Sequence, residues 1–240
     1  MPPRLYVDGL LHACDTLVLP PGPARHVQVL RLQPGAPLTL FNGDGGEWSA
    51  LVLRIGRSEV QVEVLARQAV DRELACRVTL AVGMPANERM DMLIEKATEL
   101  GVAAVQPLLC ERSVLRLAGE RAQKKVEHWR GVAVAASEQS GRTVVPRVEP
   151  VMTLPDWLAA AQHGGASRWV LSLRDAVPFA PRAGVAECVF LSGPEGGLTP
   201  AEESAARDAG FAPASLGPRV LRADTAPLAA LAALALSDRR

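Results

Sequence analysis

Two stretches toward the C-terminal end carry the residue types from which a ligand site is made: Ser192-Gly-Pro-Glu-Gly-Gly197 and Leu216-Gly-Pro-Arg-Val-Leu-Arg222. Each follows a short apolar run and precedes a helix-like segment. Glycine lets backbone N–H and C=O groups approach a bound molecule that a side chain would hold away. Loops at the carboxyl ends of strands are also where open α/β sheets hold ligands. The alternative is that these glycines only make tight turns, but two such loops at the ends of adjacent strands favour a site. Neither loop matches GxGxxG or GxxxxGKS/T, so the dinucleotide and P-loop phosphate fingerprints are absent.

The elements that must position these loops follow from local pattern. Cys188-Val-Phe-Leu191 is short and apolar, as in a buried strand of a parallel sheet. Thr199, Pro200 and Glu202 form a capping-box pattern with proline at the first helical position, which predicts a helix over about 200–209 that stops at Gly210. Residues 213–216 lead through the second loop to Asp224 or Thr225 as N-cap and a last helix over 226–236. That helix is apolar on every side and must be covered by a sheet or a second subunit. It is too short to span a bilayer, which takes about 20 residues.

Upstream, residues 77–82 are strand-like. Met90, Leu93, Ile94, Ala97 and Leu100 recur at helical spacing before Gly101, and residues 103–110 are strand-like again, which makes a βαβ unit. Val126, Trp129, Ala133 and Ala136 space one face of a helix ending near Ser140-Gly141. Another helix starts at Thr153-Leu-Pro-Asp-Trp157, and residues 168–173 form a strand. About five strands alternate with helices over 74–240, an α/β domain with a mostly parallel sheet covered on both faces. Residues 1–70 differ. Apolar runs at 37–41, 48–55 and 60–65 are separated by Asn42-Gly-Asp-Gly-Gly46 and Gly56-Arg-Ser58, the pattern of a small all-β domain with a helical piece near 24–31. The polar stretch around 69–75 is the linker.

The chain has 240 residues, of which 48% are hydrophobic, enough for a core, and no apolar run reaches membrane-spanning length. The N-terminal MPPRLYVDGLLHACD lacks a signal-peptide pattern, so a cytoplasmic protein is expected. Cys14, Cys76, Cys110 and Cys188 are scattered and the histidines do not cluster with them, so no metal site is expected and the cysteines are read as free thiols. Residues 1–70 balance six basic against six acidic side chains, whereas residues 111–147 carry a net +4. A basic run is ordinarily a solvated face, but it is also the footprint of a polyanion.

The two loops, read as LSGPEGGLTPAEE and LGPRVLRADTAPLAAL, closely resemble the C-terminal signature of the RsmE family, ribosomal RNA uridine-N3 methyltransferases of the SPOUT superfamily. His26-Val-Gln-Val-Leu-Arg31, Glu95-Lys-Ala-Thr-Glu-Leu-Gly101, Glu111-Arg-Ser113 and Ala136-Ser-Glu-Gln-Ser-Gly-Arg142 agree with it in the same order, so it spans nearly the whole chain. The resemblance implies a PUA-like β-barrel that grips RNA over 1–70 and a SPOUT methyltransferase domain with a deep trefoil knot over 74–240. It also implies S-adenosylmethionine as cofactor, 16S ribosomal RNA of the small subunit as partner, and a homodimer. The knot leaves no periodicity in a sequence.

The cofactor residues so implied are Leu191, Ser192, Gly193, Gly196, Gly197, Leu216, Gly217, Leu221 and Thr225. Arg25, His26, Arg31, Arg112 and Arg142 are the RNA-binding candidates. Uracil N3 must lose a proton as it attacks the methyl group, so the site has to align the reactants, stabilise negative charge on the base and accept the proton. Arg222 is the candidate for charge stabilisation, and Asp224, Glu138 and Glu195 for proton acceptance. The cluster Glu138-Gln-Ser-Gly-Arg142 is read as orienting a nucleobase, with a helix C-cap and ion pair as the alternative. Two positions depart from the family: Asp224 replaces the usual glutamate, and Asn87-Glu88-Arg89 stands where a lysine is common. Competing functions are a SPOUT enzyme acting on transfer RNA, a non-catalytic RNA-binding protein, and a nucleotide-phosphate enzyme using GPEGG as an anion nest.

Overall fold

The computed structural model describes residues 2–57, 59–160, 165–181 and 184–237, and divides the chain into two compact units. Ser58 of the expected Gly56-Arg-Ser58 turn lies outside the described residues. The first unit comprises residues 1–73 together with 137–145, and the second comprises 74–136 and 146–240.

In the first unit the strands are β1 (Arg4–Tyr6), β2 (Thr16–Val18), β3 (Pro37–Phe41), β4 (Gly46–Ile55) and β5 (Val60–Ala69), with helix α1 (Pro21–Val29) between β2 and β3. They form the expected small β-fold in the order β1-β3-β4-β5-β2, antiparallel except for β1 beside β3. Alternate residues of β4 and β5, such as Ala50, Val52, Val60, Val62 and Val64, point into one core. Irregularities after Trp48 and Val52 bend β4 so that the sheet curls around that core. The 42–46 connection is a turn held by its own side chains, with Asp44 N–H donating to Asn42 Oδ1 and Gly46 N–H to Asp44 Oδ1.

Helix α1 starts earlier than the expected residue 24, because prolines at its first turn are already set for helical φ. It ends at Val29, and Arg31 sits beyond it at φ +52°. Arg31 therefore does not share a helix with Arg25 and His26, as the sequence spacing had implied.

The second unit runs β6 (Arg77–Gly83), α2 (Asn87–Glu99), β7 (Ala104–Leu109), α3 (Gly119–Ser140, its last turn in the first unit), β8 (Arg147–Val148), β9 (Met152–Thr153) and α4 (Leu154–Ala160). It continues β10 (Ser167–Leu171), β11 (Val177–Pro178), β12 (Glu187–Ser192), α5 (Pro200–Asp208), β13 (Ala212–Ser215) and α6 (Thr225–Ser237). The strands pair in parallel in the order β11-β13-β10-β12-β6-β7-β8, with β9 also on β7. Side chains alternate across the sheet. Ala81, Leu108, Val189 and Leu191 face the helix pair α4 and α5. Helix α6 packs on β6, β12 and α2. Its Pro227, Ala230, Leu231 and Leu234 are buried inside the chain, while Leu236 is exposed.

Strand order corrects one expectation. The two glycine-proline loops follow β12 and β13, which are not adjacent, because β10 lies between them. Neighbours in sequence need not be neighbours in a crossover-built sheet, so a third loop enters the site.

Candidate active site

The loop after β12 is held from several sides. Thr199 and Glu202 complete the reciprocal capping box that starts α5, fixing where the loop ends. Gly197, at φ +67°, donates its N–H to the Pro194 carbonyl at 2.8 Å and closes the turn. Glu195 Oε1 accepts the Ala86 N–H at 2.8 Å, just before α2, and Arg112 Nη1 donates to the Gly196 carbonyl at 2.9 Å. Gly83 ends β6 so close to the loop that a Cβ there would lie 2.5 Å from the Pro194 ring and nitrogen. Gly193 is equally confined, its Cβ position being 2.6 Å from Leu198 N. These two glycines are required by close backbone approach.

The loop after β10 supplies a polar wall. The Ser172 hydroxyl donates to Glu203 Oε1 at 2.7 Å and accepts the Arg174 N–H, while Arg207 Nη2 bridges Glu203 Oε1 and the Arg174 carbonyl. Burial pushes the Glu203 carboxyl up, but hydrogen bonds from Arg207 and Ser172 outweigh it and hold the group below the ordinary glutamate value.

Between the three loops lie two cavities with shared walls. The first, of about 480 Å3, is lined by Leu171, Gly193, Gly197, Leu216, Leu221 and Ala226, among others, with Ser172, Arg174, Glu203 and Arg219 supplying its polar groups. The second, of about 520 Å3, shares Gly193, Gly197 and Leu221 and adds Ser192, Gly196, Glu195, Arg89 and Arg222. Both volumes suit a ligand of cofactor or nucleoside size. Ser192 Oγ and Asp224 Oδ1 are buried with no hydrogen-bond partner among the described residues. Such orphaned atoms call for a missing partner.

Of the residues chosen from sequence, Ser192, Gly193, Gly196, Gly197, Leu216, Leu221 and Arg222 line these cavities. Leu191 is fully buried in the core, Gly217 makes the turn after β13 at φ +106°, and Thr225 opens α6. Arg112 braces the loop after β12 through Gly196. Glu138 belongs to the first unit, where it accepts the Tyr6 N–H at 2.8 Å and faces His26 at 3.8 Å. Burial raises its carboxyl pKa, opposed by the Tyr6 N–H, His26 and Arg4. Arg142 is only 3% exposed and pairs with Glu73 of the same unit. Arg25 and Arg31 are exposed. Sequence reading missed Leu171, Ser172, Arg174, Glu203 and Gly83. The strand order brings Leu171, Ser172 and Arg174 to the cavity, Glu203 lies one turn into α5 after the first loop, and Gly83 stands in no loop motif.

A parallel α/β sheet with a cavity at its carboxyl edge, and a separate small β-unit, define a class. Residues 72–235 match the RNA methyltransferase domain and residues 24–65 the RNA methyltransferase PUA domain. Ribosomal RNA small subunit methyltransferase E of Bacillus subtilis is 33% identical over 218 residues, covering 87% of this chain and 84% of the relative. The Synechocystis protein of the same name is 36% identical over 211 residues, covering 85% and 67%. The crystal structure of this methyltransferase from Neisseria gonorrhoeae, bound to S-adenosyl methionine, superposes with a TM-score of 0.92 at 35% identity, covering 99% and 98% of the chains. The chain belongs to the ribosomal RNA small subunit methyltransferase E family, as its signature motifs had implied.

Proposed function

We propose that the chain transfers the methyl group of S-adenosylmethionine to N3 of a uridine in 16S ribosomal RNA. The observation that carries this reading is the paired cavity: one half walled by backbone and apolar side chains, the other opening onto Arg222. The first half suits an adenosine, with Leu171, Leu216 and Leu221 against the ring faces and loop N–H and C=O groups for its polar edge. Glu203, kept ionised by Arg207, suits a hydroxyl or ammonium donor. Ser192 Oγ is free to bond a ligand. S-adenosylmethionine supplies an electrophilic methyl on a sulfonium.

In the second half, Arg222 is exposed to the cavity and has no carboxylate partner among the described residues. It stays protonated and stabilises the negative charge that gathers on the uracil carbonyl oxygens as N3–H is lost. As the new N3–C bond forms, the S–CH3 bond breaks and its electron pair stays on sulfur, leaving S-adenosylhomocysteine. The N3 proton passes to a carboxylate. Glu195 is engaged with the Ala86 N–H and Glu138 with the Tyr6 N–H, whereas Asp224 keeps a buried, unbonded oxygen two residues from Arg222. We assign Asp224 as the acceptor on that free oxygen, although its carboxyl is not part of either cavity wall, and Glu138 serves to order the 137–145 segment beside His26.

The first unit, essentially residues 1–70, is assigned to gripping RNA through Arg25, His26 and Arg31, and residues 74–240 to catalysis. The trefoil knot is carried over from the family to which the chain belongs. Leu236, exposed at the end of α6, supports a homodimer. No described helix is long and apolar enough to cross a membrane, which fits cytoplasmic work on the ribosome.

The test is calorimetry with S-adenosylmethionine followed by methyl transfer to small subunits. Binding by the wild type, its loss in Gly196→Trp, and retained binding without transfer in Arg222→Gln are expected. Absence of binding would return the chain to a non-catalytic RNA-binding role, and transfer to transfer RNA alone would replace the substrate.

A further inference from the structure

Beside the paired cavity, and separated from it by one peptide segment, lies a third cleft of about 490 Å3. Its apolar walls are Leu109, Cys110, Pro155, Ala201 and Ala205, and its polar lining is Glu111, Thr153, Glu202 and Arg116, whose Nη2 donates to the Glu111 carbonyl at 2.9 Å. The segment 110–112 joins the two places. Glu111 donates its N–H to Glu202 Oε1 at 2.8 Å on the cleft side, and Arg112 reaches the Gly196 carbonyl at 2.9 Å on the other.

Ten residues after Glu111, the start of α3 presents Arg121, Lys124 and Lys125 at i, i+3 and i+4, on one helical face. None has a carboxylate within ion-pair distance among the described residues, whereas Lys96, Arg72 and Arg207 are all paired. Arg121 and Lys124 are exposed and Lys125 half-buried. The cleft's own carboxylates are partly committed: Glu202 accepts the N–H groups of both Thr199 and Glu111, while Glu111 itself stays exposed.

We propose that this cleft receives a nucleotide flanking the target uridine, and that the α3 stripe binds the phosphates of the same RNA strand. The inference rests on the RNA methyltransfer reading above. A target nucleotide is one link in a chain, so its neighbours must lie beside the second cavity. A largely apolar cleft with the Arg116 guanidinium in its lining fits a base and its phosphate together. An acidic peptide would meet the charges and leave the apolar walls uncovered.

The experiment measures binding of an unmodified 16S ribosomal RNA transcript to the S-adenosylmethionine-loaded protein at several salt concentrations. The variants are Arg116→Gln, the pair Lys124→Gln with Lys125→Gln, and Ala205→Trp, which fills the cleft without touching charge. Each lost phosphate contact should flatten the plot of log affinity against log salt by about 0.7–0.9. Ala205→Trp should weaken binding about tenfold, equivalent to about 1.4 kcal/mol, at an unchanged slope, because the indole takes the space of the base. Cofactor affinity should stay at the wild-type value in all three, which also certifies their folding. Wild-type RNA affinity and slope in all variants would overturn the inference while leaving the methyltransfer reading intact. Loss of affinity for assembled subunits with none for free RNA would make the occupant a ribosomal protein and would also overturn it. Failure of the wild type to transfer methyl, with the variant effects present, would remove the reaction and keep the RNA cleft.

Discussion

Gly83→Ala should disable the enzyme from outside its cavity. The added methyl would stand 2.5 Å from Pro194 Cδ, 2.5 Å from Pro194 N and 2.9 Å from the Gly193 carbonyl carbon. Carbon contacts relax at about 3.5–4.0 Å, so strand β6 and the cofactor loop must part by roughly 1 Å. Nothing there yields cheaply, since the atoms met belong to a proline ring and backbone. Overpacking of this kind costs about 1–3 kcal/mol, and each kcal/mol lowers the Tm of a chain this size by about 2–4 °C. The loop then holds Gly193 and Gly197 out of place, and a 1 Å error in positioning costs on the order of a hundredfold in rate. Scanning calorimetry, titration with S-adenosylmethionine and a methyl-transfer assay read the three effects separately. Expected are a lower Tm, cofactor affinity weaker by about tenfold, equivalent to 1.4 kcal/mol, and a larger loss of rate. Gly196→Ala is the milder comparison, because its methyl meets Arg112 Cβ at 3.0 Å and Cδ at 3.3 Å and the neighbour need give only a few tenths of an ångström, against roughly 1 Å at Gly83. A Gly83→Ala protein with wild-type Tm and cofactor affinity would refute the idea that β6 sets the loop.

Gly131→Ala, in the exposed middle of α3 with open space at its Cβ, should stabilise the protein by about 0.5–1 kcal/mol, seen as a higher denaturant midpoint. Glu203 has a folded pKa below its unfolded one, so its ion pair with Arg207 contributes fully above the ordinary carboxylate range and is lost as pH falls through the folded value. The stability gap between wild type and Glu203→Gln should therefore be constant near pH 7 and shrink below about pH 4 in urea melts; a gap independent of pH would contradict the pairing. Glu138→Gln keeps an acceptor for the Tyr6 N–H and should cost little, whereas Glu138→Ala strands that donor at about 1–3 kcal/mol, a difference measurable by thermal melts. Asp224→Asn should leave cofactor affinity intact and slow methyl transfer by about 10²–10⁴-fold in a single-turnover assay, the loss expected on removing a proton acceptor.

Much of the architecture was legible because it is local. The Thr199–Glu202 capping box, the apolar face Val126, Trp129, Ala133 and Ala136, and the buried Cys110 and Cys188 all sit as their spacing required. Burial drives both thiols up to about 12, so neither is a reactive thiolate at neutral pH. What escaped was tertiary. The insertion of β10 between β12 and β13 depends on crossover topology, so Ser172, Arg174 and the role of Glu203 carried no signal. Arg142, read as an RNA-binding candidate with a helix C-cap and ion pair as the alternative, is buried and paired with Glu73, a partner 69 residues away in sequence that no helical spacing reveals. Arg31 lies outside α1, which ends at Val29, because Arg31 itself takes a positive φ of +52° that a right-handed helix does not contain.

The most direct test of the proposed function is to incubate the wild-type protein with S-adenosylmethionine and small ribosomal subunits lacking the modification, digest the RNA, and identify the new nucleoside by mass spectrometry. One N3-methyluridine per 16S ribosomal RNA, absent with Arg222→Gln, is the expected product. A methyl group at carbon 5 or on the ribose, or none despite bound cofactor, would contradict the reaction assigned to the paired cavity.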